Sequence, residues 1–326
     1  MCTPHFEIQN GVLTKCRMSG EENMTVTIPD GVTSIGENAF IGCISLKSVT
    51  IPDSVTSIGG KAFLLCVSLK GITIPDGVLS IGNDAFANCN LLQNIDVSEN
   101  NSDYSSSNGV LFDKTQTILM KYPEGKKDLS YIIPDGVTSI GEKAFADCDK
   151  LNNITIPVSV ISIGDLAFLG CESLKSITIP DSVISIGDEA FEECTALESL
   201  TIPDSVTSIG DNAFLICDSL QSIDVSESNS NYLSCDGVLF DKYKSILIKY
   251  PQGKKELSFM IPDGVKSIKQ YAFDNCKSLR SITTPDSVKR IASDAFYACD
   301  NLTICALAGS YAIEYAKDNG IKFKEI

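Results

Sequence analysis

Thirteen cysteines, one histidine and a recurring aspartate are the side chains in this sequence with the chemistry to build a site. Nine of the cysteines (Cys43, Cys66, Cys89, Cys148, Cys171, Cys194, Cys217, Cys276 and Cys299) each stand three residues after a phenylalanine. At a fixed repeat they form one internal column, where free cysteine behaves as a small hydrophobe. No C-x-x-C pair offers zinc ligands at the usual spacing. Cys2, Cys16 and Cys235 lie off the column and are expected to be the accessible thiols. His5 is the sole histidine. It sits near an end expected to fray, so a Ser–His or Cys–His pair would lack a positioned base. Asp30, Asp53, Asp76, Asp135, Asp181, Asp204, Asp263 and Asp286 could make a carboxylate ladder, since hard cations take clustered oxygens. Val158 interrupts that ladder, and each aspartate follows a proline, a pairing that makes a turn. No catalytic residue, cofactor site or metal site is expected.

The elements that would position these residues repeat. Phe40, Phe63, Phe86, Phe145, Phe168, Phe191, Phe214, Phe273 and Phe296 mark nine copies of I-P-D-[SG]-V-x-x-I-G-x-x-A-F-x-x-C-x-x-L-x-x-I. The step is 23 residues, except for two steps of 59. A period in the twenties means one solenoid coil per copy, burying its apolar face against its neighbours. Leu174, Ile177 and Ile179 illustrate an L-x-x-I-x-I stretch whose end alternates as a strand with one buried face. Pro-Asp-Ser/Gly is a corner. The stretch V-x-x-I-G-x-x-A-F-x-x-C predicts a short second strand and then a helical turn. The alanine before every marker phenylalanine points to close packing between coils. Glycine four before the phenylalanine gives way to Lys269 and Ala292 in the last two copies, so it is not expected to need φ > 0.

Each long step carries 36 extra residues. The segments Gly109–Lys127 and Gly237–Lys255 repeat one another 128 residues apart and predict two β-hairpins, preceded by polar loops at Ser98–Asn108 and Ser226–Asn231. One solenoid is expected over 1–326: a cap at 1–27, repeats at 28–97, an irregular hairpin unit at 98–133, repeats at 134–225, a second hairpin unit at 226–261, repeats at 262–307 and a cap at 308–326. In the last coil Leu302, Cys305 and Leu307 take the strand positions. Ser310 is an N-cap, Tyr311–Asn319 a helix, Gly320 its stop, and Ile321–Ile326 a final strand. Asn10-Gly11-Val12-Leu13 repeats the start of the hairpin motif, so the N-terminal residues are expected to cap the first coil.

The net charge of −16 repels nucleic acid and anionic lipid. No window approaches the roughly 18 apolar residues of a membrane helix. Met1–Gln9 lacks the pattern of a secretory signal, so the protein is expected either to stay inside the cell or to begin after a removed signal. The nine copies resemble the BspA-like class of leucine-rich repeats, with its I-P-x-S-V-x-x-I-G-x-x-A-F-x-x-C-x-x-L pattern. Residues and resemblance together predict an α/β, predominantly β, leucine-rich-repeat solenoid. It would have parallel-stranded coils, short helical turns, two β-hairpin inserts and a C-terminal capping helix. The resemblance implies a non-enzymatic, cell-surface or secreted bacterial module that contacts host matrix proteins or other cells, binding a protein or glycan as a monomer. The alternatives are a structural spacer of a larger surface protein, an intracellular scaffold or an enzyme regulatory subunit. Two sets of residues are candidates for partner contact. One is the outward strip that the resemblance places on a concave face, including Ser176, Thr178, Ser199 and Thr201. The other is Tyr122, Lys126, Tyr250 and Lys254 on the hairpins, since loops on rigid scaffolds carry specificity.

Overall fold

The computed structural model describes residues 4–18 and 24–326. The chain groups into two compact units, Met1–Asp128 with Gly136–Lys150, and Leu129–Asp135 with Leu151–Ile326. Each is a stack of coils, so the fold is the β-solenoid that the repeat implies.

One coil of the first unit shows how the sequence builds it. Leu46–Thr50 pairs in parallel with Met24–Thr27 on one side and Gly71–Ile74 on the other. Val49 and Ile51 point inward and Thr50 outward. The Val55 N–H then donates to the Pro52 carbonyl at 3.1 Å, closing the Pro-Asp corner. Ser57–Ile58 follows as a two-residue strand between Ser34–Ile35 and Ser80–Ile81. The expected helical turn is not a helix. Its i→i+3 bonds form only at alternate residues, Ala62 to Gly59, Leu64 to Lys61 and Cys66 to Phe63, because left-handed residues stand on both sides of Phe63, Lys61 at φ 56° and Leu65 at φ 63°. These send the N–H groups of Lys61, Phe63 and Leu65 along the stack to the carbonyls of Asn83, Ala85 and Ala87, at 2.9, 2.8 and 3.1 Å. A helix would have used those donors internally.

Glycine before this turn answers to crowding and not to φ. A Cβ at Gly59 would lie 2.6 Å from the Glu37 nitrogen. Directly after the N-terminal hairpin the coils are looser, and a Cβ at Gly36 would meet its nearest neighbour at 3.1 Å. Lys269 occupies the matching position after the second insert.

The core is a set of parallel ladders. Phe40, Phe63 and Phe86 stack at centroid spacings of 4.9 and 5.8 Å, and Phe168, Phe191 and Phe214 at 5.1 and 5.8 Å in the second unit. Column thiols do more than fill space. Those of Cys66 and Cys194 each donate, at 3.2 Å, to the carbonyl of the phenylalanine one coil back, Phe40 and Phe168. Burial pushes the Cys89 and Cys217 thiols up to about 12.

Each insert also supplies a coil of its own. Tyr122 lies 23 residues before Phe145 and takes the phenylalanine position. Its N–H donates to the Ala144 carbonyl at 2.7 Å, its ring stacks on Phe145 at 5.4 Å, and its carbonyl accepts the Cys148 thiol. Tyr250 repeats this against Ala272 and Phe273, at 2.8 and 5.3 Å. The expected hairpins are present, Val110–Asp113 with Ile118–Lys121 and Val238–Asp241 with Ile246–Lys249. Upstream of the first, Tyr104–Ser107 is a strand and not the expected loop, antiparallel to Val110–Asp113. Its three serines gave no apolar alternation to read. Tyr232–Cys235 is its counterpart in the second insert.

The ends bring three more corrections. His5 is not frayed but lies, exposed, in the strand His5–Gln9, opposite Arg17 of Val12–Arg17. Cys16 is buried and not accessible, because it holds the phenylalanine register of the cap: its N–H donates to the Ala39 carbonyl at 2.7 Å and its carbonyl accepts the Cys43 thiol. Cys2 lies outside the described residues. At the other end the last coil is one residue shorter. Ile304 therefore pairs with Ile282, Ala306 is buried, and Leu307 is exposed. Ser310 holds the N-cap position of the helix Tyr311–Asp318 without a side-chain capping bond, Tyr315 covers Phe296 at 6.0 Å, and Gly320 stops the helix at φ 68° before the strand Lys322–Glu325.

Candidate functional site

Where an insert interrupts the ladder, its side chains replace the carbonyls and N–H groups that the next coil would offer. In a regular coil of the second unit Glu189, Phe191 and Glu193 donate to the carbonyls of Asp211, Ala213 and Leu215, each at 2.9 Å. One coil later the Tyr232 hydroxyl accepts from the Ile209 N–H at 2.9 Å. Buried Asn229 donates to the Pro203 and Val206 carbonyls at 2.7 and 2.9 Å and accepts the Asn231 and Tyr232 N–H groups. The Ile216 N–H faces the Asp274 carboxylate. In the first unit Tyr104, Asn101 and Glu124 do the same for Ile81, for Pro75 and Val78, and for Asn88. Sequence reasoning singled out none of these residues, although the recurrence of Asn101 and Tyr104 as Asn229 and Tyr232, 128 positions later, was an available signal.

The buried charges are balanced differently in the two inserts. Lys121 pairs with Glu124 at 3.0 Å. In the second insert Lys249 keeps the lysine, Gln252 stands where Glu124 did, and the carboxylate comes from Asp274. Burial raises the Asp274 carboxyl and lowers the Lys249 ammonium, whose Nζ donates to the Tyr271 carbonyl at 3.1 Å. A cleft of about 300 Å³ opens here, walled by Phe214, Leu215, Tyr232, Ile248, Lys249 and Tyr271.

The eight candidate contact residues separate cleanly. Ser176, Thr178, Ser199 and Thr201 are exposed, and the register sets Ser176 beside Ser199 and Ser199 beside Ser222 in one parallel sheet. Tyr122 and Tyr250 are each 1% exposed, so neither ring can meet a partner. Lys126 and Lys254 lie over those rings at 5.7 and 5.9 Å and donate to the Asn108 and Asp236 carbonyls, both at 2.9 Å. They hold their hairpins closed. What sequence reasoning missed are Ile132 and Met260, 73% and 72% exposed. They end the sheet-edge strands Ser130–Ile132 and Ser258–Met260, beside the outward Thr155 and Thr283.

The remaining titratable groups gather into no site. Among the described residues no three His, Cys, Asp or Glu side chains form a metal-binding group. The corner aspartates stand at the surface, only Asp76 being half-buried. Cys235 is half-exposed, with the Lys244 Nζ donating to its Sγ at 3.1 Å. A thiol reagent added to the native protein should therefore label Cys235 and Cys305 first, while Cys16, Cys66, Cys89, Cys194 and Cys217 wait for unfolding. Fast native labelling of that second group would place the column on the surface.

A pH effect is expected from the turn carrying Glu192. Burial first, and then the charges of Glu189 and Glu193, raise its carboxyl to about 6. A carboxyl raised in the folded state favours folding when protonated. The contribution is therefore present below its unfolded pKa of roughly 4.3 and lost as pH rises through about 6. Melting temperature should climb between pH 7 and 5, and Glu192→Gln should flatten that part of the profile. An identical profile in the variant would contradict the assignment.

This architecture, a strand, a corner, a two-residue second strand and a phenylalanine turn per 23 residues, defines a leucine-rich-repeat solenoid. The family model for the BspA type leucine rich repeat region matches residues 8–129, 121–235 and 252–319 in 6 copies, and the chain belongs to that family. A leucine-rich repeat protein from Eubacterium ventriosum is 31% identical, over 85% of this chain and 77% of that one, with a TM-score of 0.64. A leucine rich cell surface protein from Faecalibacterium prausnitzii is 26% identical, over 99% and 93%, at a TM-score of 0.49. Comparison with curated proteins gives no match.

Proposed function

We propose that the protein is a non-enzymatic binding module of a bacterial surface, holding a protein ligand against the outward face of the parallel sheets in its second unit. The observation that carries this reading is the pair Ile132 and Met260, large apolar side chains exposed at sheet edges beside outward threonines. A face that only had to stay solvated gains nothing from apolar groups at an edge, where they invite association. The hydroxyls of Ser176, Thr178, Ser199 and Thr201 add donors and acceptors that an interface can use. Surface location and the choice of host matrix proteins or other cells as targets rest on the family. A spacer between other domains is the competing reading. The test is a binding panel of immobilised matrix proteins and cell-wall glycans. Saturable binding to a protein is expected. Binding to glycans alone, or to nothing in the panel, would overturn the proposal.

A further inference from the structure

We propose that the cleft beside the second insert is a peptide site, in which a short turn segment presents two main-chain carbonyls to the N–H groups of Asn212 and Phe214. This inference extends the protein-binding reading to a second place in the second unit and uses none of the outward strip.

The argument starts from the ladder. Glu189 and Phe191 donate along the stack to the carbonyls of Asp211 and Ala213. Asn212 and Phe214 hold the same positions one coil later, with Asn212 at φ 56° against φ 55° for Glu189. The same backbone geometry sends their N–H groups the same way, into the cleft that both residues line. Among the described residues neither N–H has an acceptor. Neighbouring ladder groups at this gap are satisfied by Tyr232 and Asn229. Unmet donors in an apolar wall are costly, so they select a ligand that brings acceptors.

The form of that ligand follows from the spacing. In a continuous stack these donors meet carbonyls two residues apart across a left-handed residue, as Gly60 and Ala62 flank Lys61 at φ 56°, a tight turn that a short peptide can adopt and a sugar chain cannot copy. Phe214, Leu215, Ile248 and Tyr271 can receive one apolar side chain. A cleft of about 300 Å³ admits two or three residues, so the occupant is a loop or a chain end and not a folded surface. At the mouth, the ion pair of Lys269 with Asp211, 2.9 Å long, is exposed enough to part. The N–H groups of Asp84 and Phe86 lack acceptors in the same way, 128 residues earlier.

The probe is acetyl-Gly-Lys-Ala-amide, which copies Gly60 to Ala62. In this protein the carbonyls of Gly60 and Ala62 accept from Asn38 and Phe40 at 3.1 and 2.7 Å. Added to the ¹⁵N-labelled full chain, it should shift the Asn212 and Phe214 amide resonances saturably, with a Kd of about 1 mM as befits so small a ligand. Ile248→Trp, which fills the cleft, should weaken binding about tenfold or more while melting temperature holds. In the free wild-type protein the two amides should exchange with solvent about tenfold faster or more than those of Glu189 and Phe191. Equal protection of the four amides would remove the basis of the proposal. Absence of shifts at about 10 mM peptide, or equal shifts with chitobiose, would overturn it. The panel of immobilised proteins would stand unaffected, because it reads the outward face.

Discussion

Replacing Phe191 by alanine is expected to lower stability by about 3–5 kcal/mol, among the largest effects of any single substitution in the chain. The ring is fully buried between Phe168 at 5.1 Å and Phe214 at 5.8 Å, nearly parallel to both. Its removal takes away two stacked contacts and leaves a hole that neighbouring coils cannot fill, because their spacing is held by the N–H ladder on either side of the ring. Urea unfolding monitored by circular dichroism gives the check. A midpoint within experimental error of wild type would mean that the phenylalanine column is not the core.

Tyr250 should behave as a phenylalanine that happens to carry a hydroxyl. Its ring is 1% exposed and stacks on Phe273, and its hydroxyl is buried with no partner in the described structure. Tyr250→Ser should therefore cost about 3–5 kcal/mol, as for loss of a buried aromatic. Tyr250→Phe should be neutral or stabilising by about 1 kcal/mol, because it removes an unmet polar group and keeps the ring. The two variants together separate core from contact surface. If Tyr250→Ser kept its unfolding midpoint, the tyrosine would be a surface residue and the insert would not be a coil.

Much of this was legible in the chain. A repeat that fixes Leu, Ile, Pro, Val, Ala, Phe and Cys at constant offsets dictates strand, corner and turn, because each position has one neighbour type along the stack. Parallel strands, corners, both hairpins, the cap helix and its Gly320 stop all follow from that pattern. The turn around each phenylalanine did not, since residues as unlike as Lys61 and Leu65 adopt left-handed backbone there, and glycine marks the position only as Gly42 and Gly170. Tyr122 and Tyr250 were legible in principle. Each lies one 23-residue step before a phenylalanine, but the irregular sequence around them hid the register. The same shift of register hid Cys16 in the cap and moved Ile304 inward in place of Cys305. On the candidate site, the alternation that buries Leu200 and Ile202 exposes Ser199 and Thr201. Ile132 and Met260 stand two residues before the corner prolines Pro134 and Pro262, where other copies carry an outward threonine, so their exposure was legible in the register.

The central claim is that a protein ligand lies on the outward face of the second unit. Its most direct test is to measure affinity for a protein hit from the panel using wild type and the double variant Ser199→Arg, Thr201→Arg. Both positions are exposed, so melting temperature should stay within about 2 °C of wild type. Two long charged side chains in the strip should weaken binding about tenfold or more by obstruction and desolvation. Unchanged affinity in a folded variant would contradict the account and move the contact off the strip.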